Sequence, residues 1–73
     1  MWFKAEQAPE LKEQDFGLFR SDDVLGYFPD GSMRVIHARK YDDSYLEWAT
    51  SCSECWNVTG RFTYWRALPE KPL

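Results

Sequence analysis

Two β-prone runs, Val24-Leu25-Gly26-Tyr27-Phe28 and Met33-Arg34-Val35-Ile36-His37-Ala38-Arg39-Lys40-Tyr41, flank the tetrapeptide Pro29-Asp30-Gly31-Ser32. An Asp-Gly step between such runs supplies the positive φ that a hairpin turn needs. The sequence therefore predicts that residues 24–28 and 33–41 pair antiparallel across Asp30-Gly31. Nothing else in the chain constrains its fold as strongly.

The rest of the chain adds shorter signals of the same kind. Asp15 to Arg20 alternates partly, and Ser21-Asp22-Asp23 is a turn cluster. Asp42-Asp43-Ser44 is a second turn cluster, after which Tyr45-Leu46-Glu47-Trp48 places Leu46 and Trp48 on one face. Thr50 to Asn57 is polar and turn-like. Thr59 to Arg66 reads as a last strand, and Leu68-Pro69 ends it because proline cannot donate to a ladder. At the N-terminal end, Pro9 precedes Glu10-Leu11-Lys12-Glu13-Gln14, all good helix formers, so at most one short helix fits before Gly17. The expected architecture is mainly β. It is a β-rich α+β domain with a single small antiparallel sheet of four to five strands, curled or partly closed, and at most one short N-terminal helix. Residues 1–73 form one domain.

A chain of 73 residues buries only about 60% of its unfolded surface. Its 18% aromatic content, with four Trp, offsets the thin core, since each large ring buries roughly 150–250 Å². The expected core is Trp2, Leu25, Tyr27, Val35, Leu46, Trp48, Phe62 and Trp65. Rings beyond the core's needs are available for an interface, where Trp and Tyr are enriched.

Twelve acids against nine bases give a net charge of −3, which argues against a general nucleic-acid binder. The signs are not evenly mixed. Between Tyr41 and Gly60 stand Asp42, Asp43, Glu47 and Glu54 and no Lys or Arg, whereas Arg34, His37, Arg39 and Lys40 precede them. A run of one sign is commonly a solvated face. Read as a site, this arc makes Tyr41, Asp42, Asp43, Tyr45, Glu47, Glu54 and Trp56 the candidate partner-binding residues, facing a basic partner. The opening Met1-Trp2-Phe3-Lys4-Ala5-Glu6 has no signal-peptide pattern, and no segment is long and apolar enough to span a membrane. A cytoplasmic location is expected.

Cys52-Ser53-Glu54-Cys55 is the one motif that invites chemistry. The pair could be inert thiols in a loop, half of a zinc site, or a redox couple. Zinc needs four ligands, and His37 is the only histidine, so a closed site would need a carboxylate or a second chain. Glu54 between the thiols, with Asp42, Asp43 and Glu47 close in sequence, would raise the thiol pKa and oppose redox activation. Inert thiols are the expectation, with no cofactor and no metal. One histidine, isolated glycines and no G-x-S-x-G leave no pattern for nucleophilic catalysis or phosphate binding. His37 is expected to be a sheet residue whose pKa is lowered by Arg34 and Arg39. Asp22-Asp23 and Asp42-Asp43 read as turn formers.

The ending Phe62-Thr63-Tyr64-Trp65-Arg66-Ala67-Leu68-Pro69-Glu70-Lys71-Pro72 resembles that of a small family common in phages and prophages, which has no assigned function. That family typically closes on His-Trp, then Leu-Pro, then a final Pro. Trp65, Leu68-Pro69 and Pro72 match, while Tyr64 stands where His is usual and Ala67 where Pro is usual. Trp2, Pro9 and Val24-Leu25-Gly26-Tyr27 are similar as well. The resemblance implies a phage origin and a compact β fold, and no catalytic residues. Taken as structure, Trp65 together with Trp2 would pin both ends of the chain to one core.

These readings converge on a phage-encoded protein-binding module with no enzymatic activity. It would inhibit a bacterial host complex stoichiometrically, and a defence system is the concrete case (anti-CRISPR-type inhibition). The expected partner is a host protein or nucleoprotein complex, with no membrane and no direct nucleic acid, and a homodimer is compatible with so small a core. The alternative is a zinc or redox protein using Cys52 and Cys55. A weaker one is a nucleic-acid adaptor using Arg34, Arg39, Lys40 and Tyr41 with stacking rings.

Overall fold

The structure is a computed structural model and describes residues 1–42, 45–51 and 56–69. Among the described residues, seven strands make one curled antiparallel half-barrel: β1 (Phe3–Lys4), β2 (Lys12–Asp15), β3 (Leu18–Arg20), β4 (Val24–Tyr27), β5 (Met33–Tyr41), β6 (Glu47–Thr50) and β7 (Tyr64–Ala67). The described residues contain no helix, and so none long and apolar enough to cross a membrane. The fold is mainly β, as expected, with more and shorter strands.

The β4–β5 hairpin forms as its turn chemistry requires. Tyr27 pairs with Met33, Gly31 has φ 89°, and the Asp30 carboxylate accepts from the backbone N and the hydroxyl of Ser32. Those bonds hold the Asp30 carboxyl below its usual range.

β3 and β4 are one strand interrupted by a bulge. Arg20 pairs with Arg39, Ser21 N donates to Ala38 O, and Val24 pairs with Ile36. Asp22 and Asp23 therefore stand together opposite His37, which is the two-against-one count of a β-bulge. Ser21 repairs the ladder: its hydroxyl accepts from Ala38 N at 2.9 Å and donates to Asp22 O at 2.8 Å. This composite strand has β5 along one edge and both β2 and β7 along the other. β6 takes the free edge of β5, and β1 closes on β7 with Phe3 opposite Trp65.

Residues directly opposite one another share a face. Val24, Gly26, Ile36, Ala38, Trp48 and Trp65 line the concave face. The buried core is Val24, Ile36, Ala38, Trp48, Val58, Phe62 and Trp65. Trp48 meets the Phe62 ring edge-on at 4.7 Å, Phe3 stacks on Trp65 at 4.7 Å, and Trp65 Nε1 donates to Gln7 O at 2.7 Å.

Several expectations are corrected. Residues 10–14 are not helical: Lys12–Asp15 pairs with β3 across a turn at Phe16-Gly17, where Gly17 has φ 72°. Tertiary pairing overrides helix propensity in so short a segment. The last strand begins at Tyr64, because residues 59–61 form a turn in which Gly60 has φ 76°. Trp48, Phe62 and Trp65 are core as expected, and Leu25 and Leu46 are half-buried. Trp2, Tyr27 and Val35 are not core: they lie on the convex face. The aromatic partner that Trp65 pins from the N-terminal end is Phe3, not Trp2.

Candidate functional site

Alternate residues of β5 – Met33, Val35, His37, Arg39 and Tyr41 – run along the convex face and divide it into three zones. The hairpin end is apolar. Strand register places Lys4, Tyr64, Tyr27 and Met33 in one row across four neighbouring strands. Arg66, Leu25 and Val35 form the next row. Trp2 extends this second row: its ring meets Tyr27 edge-on at 5.9 Å, and the Arg66 guanidinium lies over it at 5.6 Å. Trp2, Tyr27, Met33 and Tyr64 remain 39%, 37%, 55% and 43% exposed and line an open hollow of about 370 Å³.

The middle zone is polar and closed. Asp23 Oδ1 accepts from Arg20 Nη2 at 2.8 Å and from the Ser51 hydroxyl at 2.7 Å. Ser51 Oγ lies 2.8 Å from His37 Nδ1. The serine has one proton and gives it to Asp23, so its oxygen accepts from His37 Nδ1–H. Burial pushes His37 below its ordinary value of 6.5, the charge of Arg20 adds to this, Asp23 opposes it and Arg39 adds again. Burial pushes the Asp23 carboxyl up. Ser51, Arg20 and His37 together outweigh that and hold it below 3.8. A hydrolytic triad needs the imidazole to take the serine proton. Here the serine stands between the other two, its proton committed to the carboxylate, so the cluster braces the bulge and β6. The sequence hides this group, because Asp23, His37 and Ser51 are far apart in the chain and only the bulge brings Asp23 to them.

The far end holds part of the acidic arc. Tyr41 and Asp42 are exposed where β5 ends, and Tyr45 is exposed just before β6. Glu47 faces Arg39 across the β5–β6 pair, with Oε2 3.4 Å from Nε. That nitrogen is buried and has no hydrogen-bond partner among the described residues. Trp56 is not part of this end. It lines a groove with Phe28, Asp30, Arg34, Val58 and Arg61, next to the hairpin turn. Asp43, Glu54, Cys52 and Cys55 lie outside the described residues. Among the described residues no three His, Cys, Asp or Glu side chains gather as a metal site would require.

In the sequence Trp2 and Tyr27 read as core, and nothing there gives Met33, Tyr64 or Arg66 a place at an interface. Both faces of β4 and of the first half of β5 carry apolar residues, so period-two alternation does not say which face is inward. Comparisons of the chain with protein-family models, with curated proteins and with solved structures give no match.

Proposed function

We propose that this chain is a phage-encoded protein-binding module, acting in the cytoplasm of a bacterial host by occupying a surface of a larger complex. A stoichiometric inhibitor of a defence system, of the anti-CRISPR kind, works in this way. The observation that carries the reading is the convex apolar end: Trp2, Leu25, Tyr27, Met33, Val35 and Tyr64 lie contiguous across neighbouring strands, beside Arg66. A contiguous apolar patch on a small domain marks an interaction surface. Trp, Tyr, Met and Arg are also the residues enriched where protein interfaces are fully buried. Asp42, at the other end of β5, would add a steering charge toward a basic region of the partner, with the exposed Tyr41 ring beside it. Such a protein needs only a surface, which a 73-residue domain can supply.

The test is affinity capture from a bacterial host lysate, run in parallel with wild-type protein and with Tyr27→Ser/Tyr64→Ser. The expected result is a defined partner bound stoichiometrically by the wild type and lost by a variant that keeps its fold. A partner retained by the folded variant, or no stoichiometric partner at all, overturns the reading.

A further inference from the structure

We infer that the hollow between Trp2, Tyr27, Met33 and Tyr64 accepts a bulky apolar side chain of a protein partner that carries Asp or Glu beside it. This rests on the docking reading above and specifies the chemistry of the partner.

The argument is the placement of charge around the hollow. The two rows that build the patch contain two charged residues, Lys4 and Arg66, and both are cations on the β1–β7 side. At the opposite margin Met33 and Val35 are themselves uncharged, and Arg34, which points to the other face in the strand register, borders Val35. Among the described residues, neither Lys4 nor Arg66 pairs with a carboxylate. The whole chain is acidic, so two rows whose charged residues are both cations run against its average, although Glu6 stands with Lys4 and Tyr64 around the adjoining hollow. Arg66 is also held in place, its guanidinium lying 5.6 Å over the Trp2 ring. A side chain fixed by cation–π contact loses less freedom when it pairs, and its planar fork suits a carboxylate.

The placement of charge favours protein over nucleic acid. Trp2, Tyr27 and Tyr64 are rings of the kind on which bases stack, but bases are held on such rings along a cationic track. Two cations on one margin do not make a track. An open apolar hollow with cations on one side fits a side-chain anchor with neighbouring acids.

The test sorts a surface-displayed random peptide library on the wild-type protein, on Lys4→Glu/Arg66→Glu and on Lys4→Gln/Arg66→Gln. Wild type is expected to enrich peptides that join an aromatic or aliphatic anchor to Asp or Glu. The charge-reversed variant is expected to keep the anchor and exchange the acids for Lys or Arg. The best wild-type peptide should bind the reversed variant about tenfold more weakly or worse, since like charges then face each other. If the reversed variant does not fold, the Gln variant carries the test: it must keep the anchor and lose the acid preference. Anchored peptides with no acid preference on wild type overturn this inference and leave the docking reading standing. Wild-type peptides that bind Tyr27→Ser/Tyr64→Ser equally well overturn both. Saturable binding of an oligothymidylate, or dimerisation of the wild type, that is abolished by Tyr27→Ser/Tyr64→Ser overturns the inference by assigning the hollow another occupant.

Discussion

Gly26 sits under Ile36. A Cβ built at Gly26 would come 2.5 Å from Ile36 Cδ1 and 3.1 Å from its Cγ1, and Ile36 is fully buried, so the side chain must shift within the core. Gly26→Ala should therefore destabilise the domain by about 1–3 kcal/mol through overpacking. Ile36→Val alone should cost about 0.5–1.5 kcal/mol, and in combination it should recover much of the Gly26→Ala loss because the clashing methyl is gone. A double-mutant cycle by urea denaturation checks this, and additive losses would contradict the contact. His37 gives the second prediction at this scale. Its folded value lies below 6.5, so the unfolded chain takes up the proton first as pH falls. The stability it contributes is complete above about pH 6.5 and is lost as pH drops from there toward the folded value. An asparagine amide can still donate to Ser51, so His37→Asn should fold and should flatten the pH–stability curve just below 6.5 relative to wild type. Gly31 was legible in the sequence because a turn type demands it. Gly26 was not, because the demand comes from a side chain on the neighbouring strand.

The bulge is the element on which the sheet depends most. Ser21 is fully buried, and its hydroxyl takes the Ala38 N–H that the interrupted ladder would otherwise leave unpaired. Ser21→Ala should cost about 1–3 kcal/mol, the desolvation penalty of an orphaned buried donor, which chemical denaturation will read. A variant as stable as wild type would mean that the ladder closes without the hydroxyl. The same bulge shifts the alternation by one residue, so that Ser21 and Val24 both face inward. Ser21-Asp22-Asp23 has the composition of a turn. The chain does break its pattern there, but it continues along the same edge of β5. The hairpin was legible because its signal is local. β1 and β2 were not: two to four residues, largely polar in β2, become strands only because β7 and β3 offer them an edge.

For the whole molecule, the aromatic residues divide between holding the fold and facing outward. Trp48→Ala or Trp65→Ala should remove about 3–5 kcal/mol, enough to unfold a domain of this size. Trp2→Ala should cost about 1 kcal/mol, the worth of its contacts with Tyr27 and Arg66, while abolishing partner capture. Thermal melts of the three variants separate the classes, and equal losses would return Trp2 to the core. The concave cluster around Trp48, Phe62 and Trp65 was legible from size and pattern. The convex patch was not, because a strand with apolar residues on both faces must be placed in a sheet before either face has a meaning. One consequence follows from the closure of β1 on β7. β1, which contains Lys4 and directly follows Trp2, is two residues long and pairs with a strand from the other end of the chain. Pairings so short, between segments so distant in sequence, open well before a sheet melts. Peeling of the first few residues would remove one wall and one cation of the hollow while β3 to β7 stay paired. Affinity for a partner and resistance to unfolding are thus set by different parts of this chain, and each can drift under selection without carrying the other along.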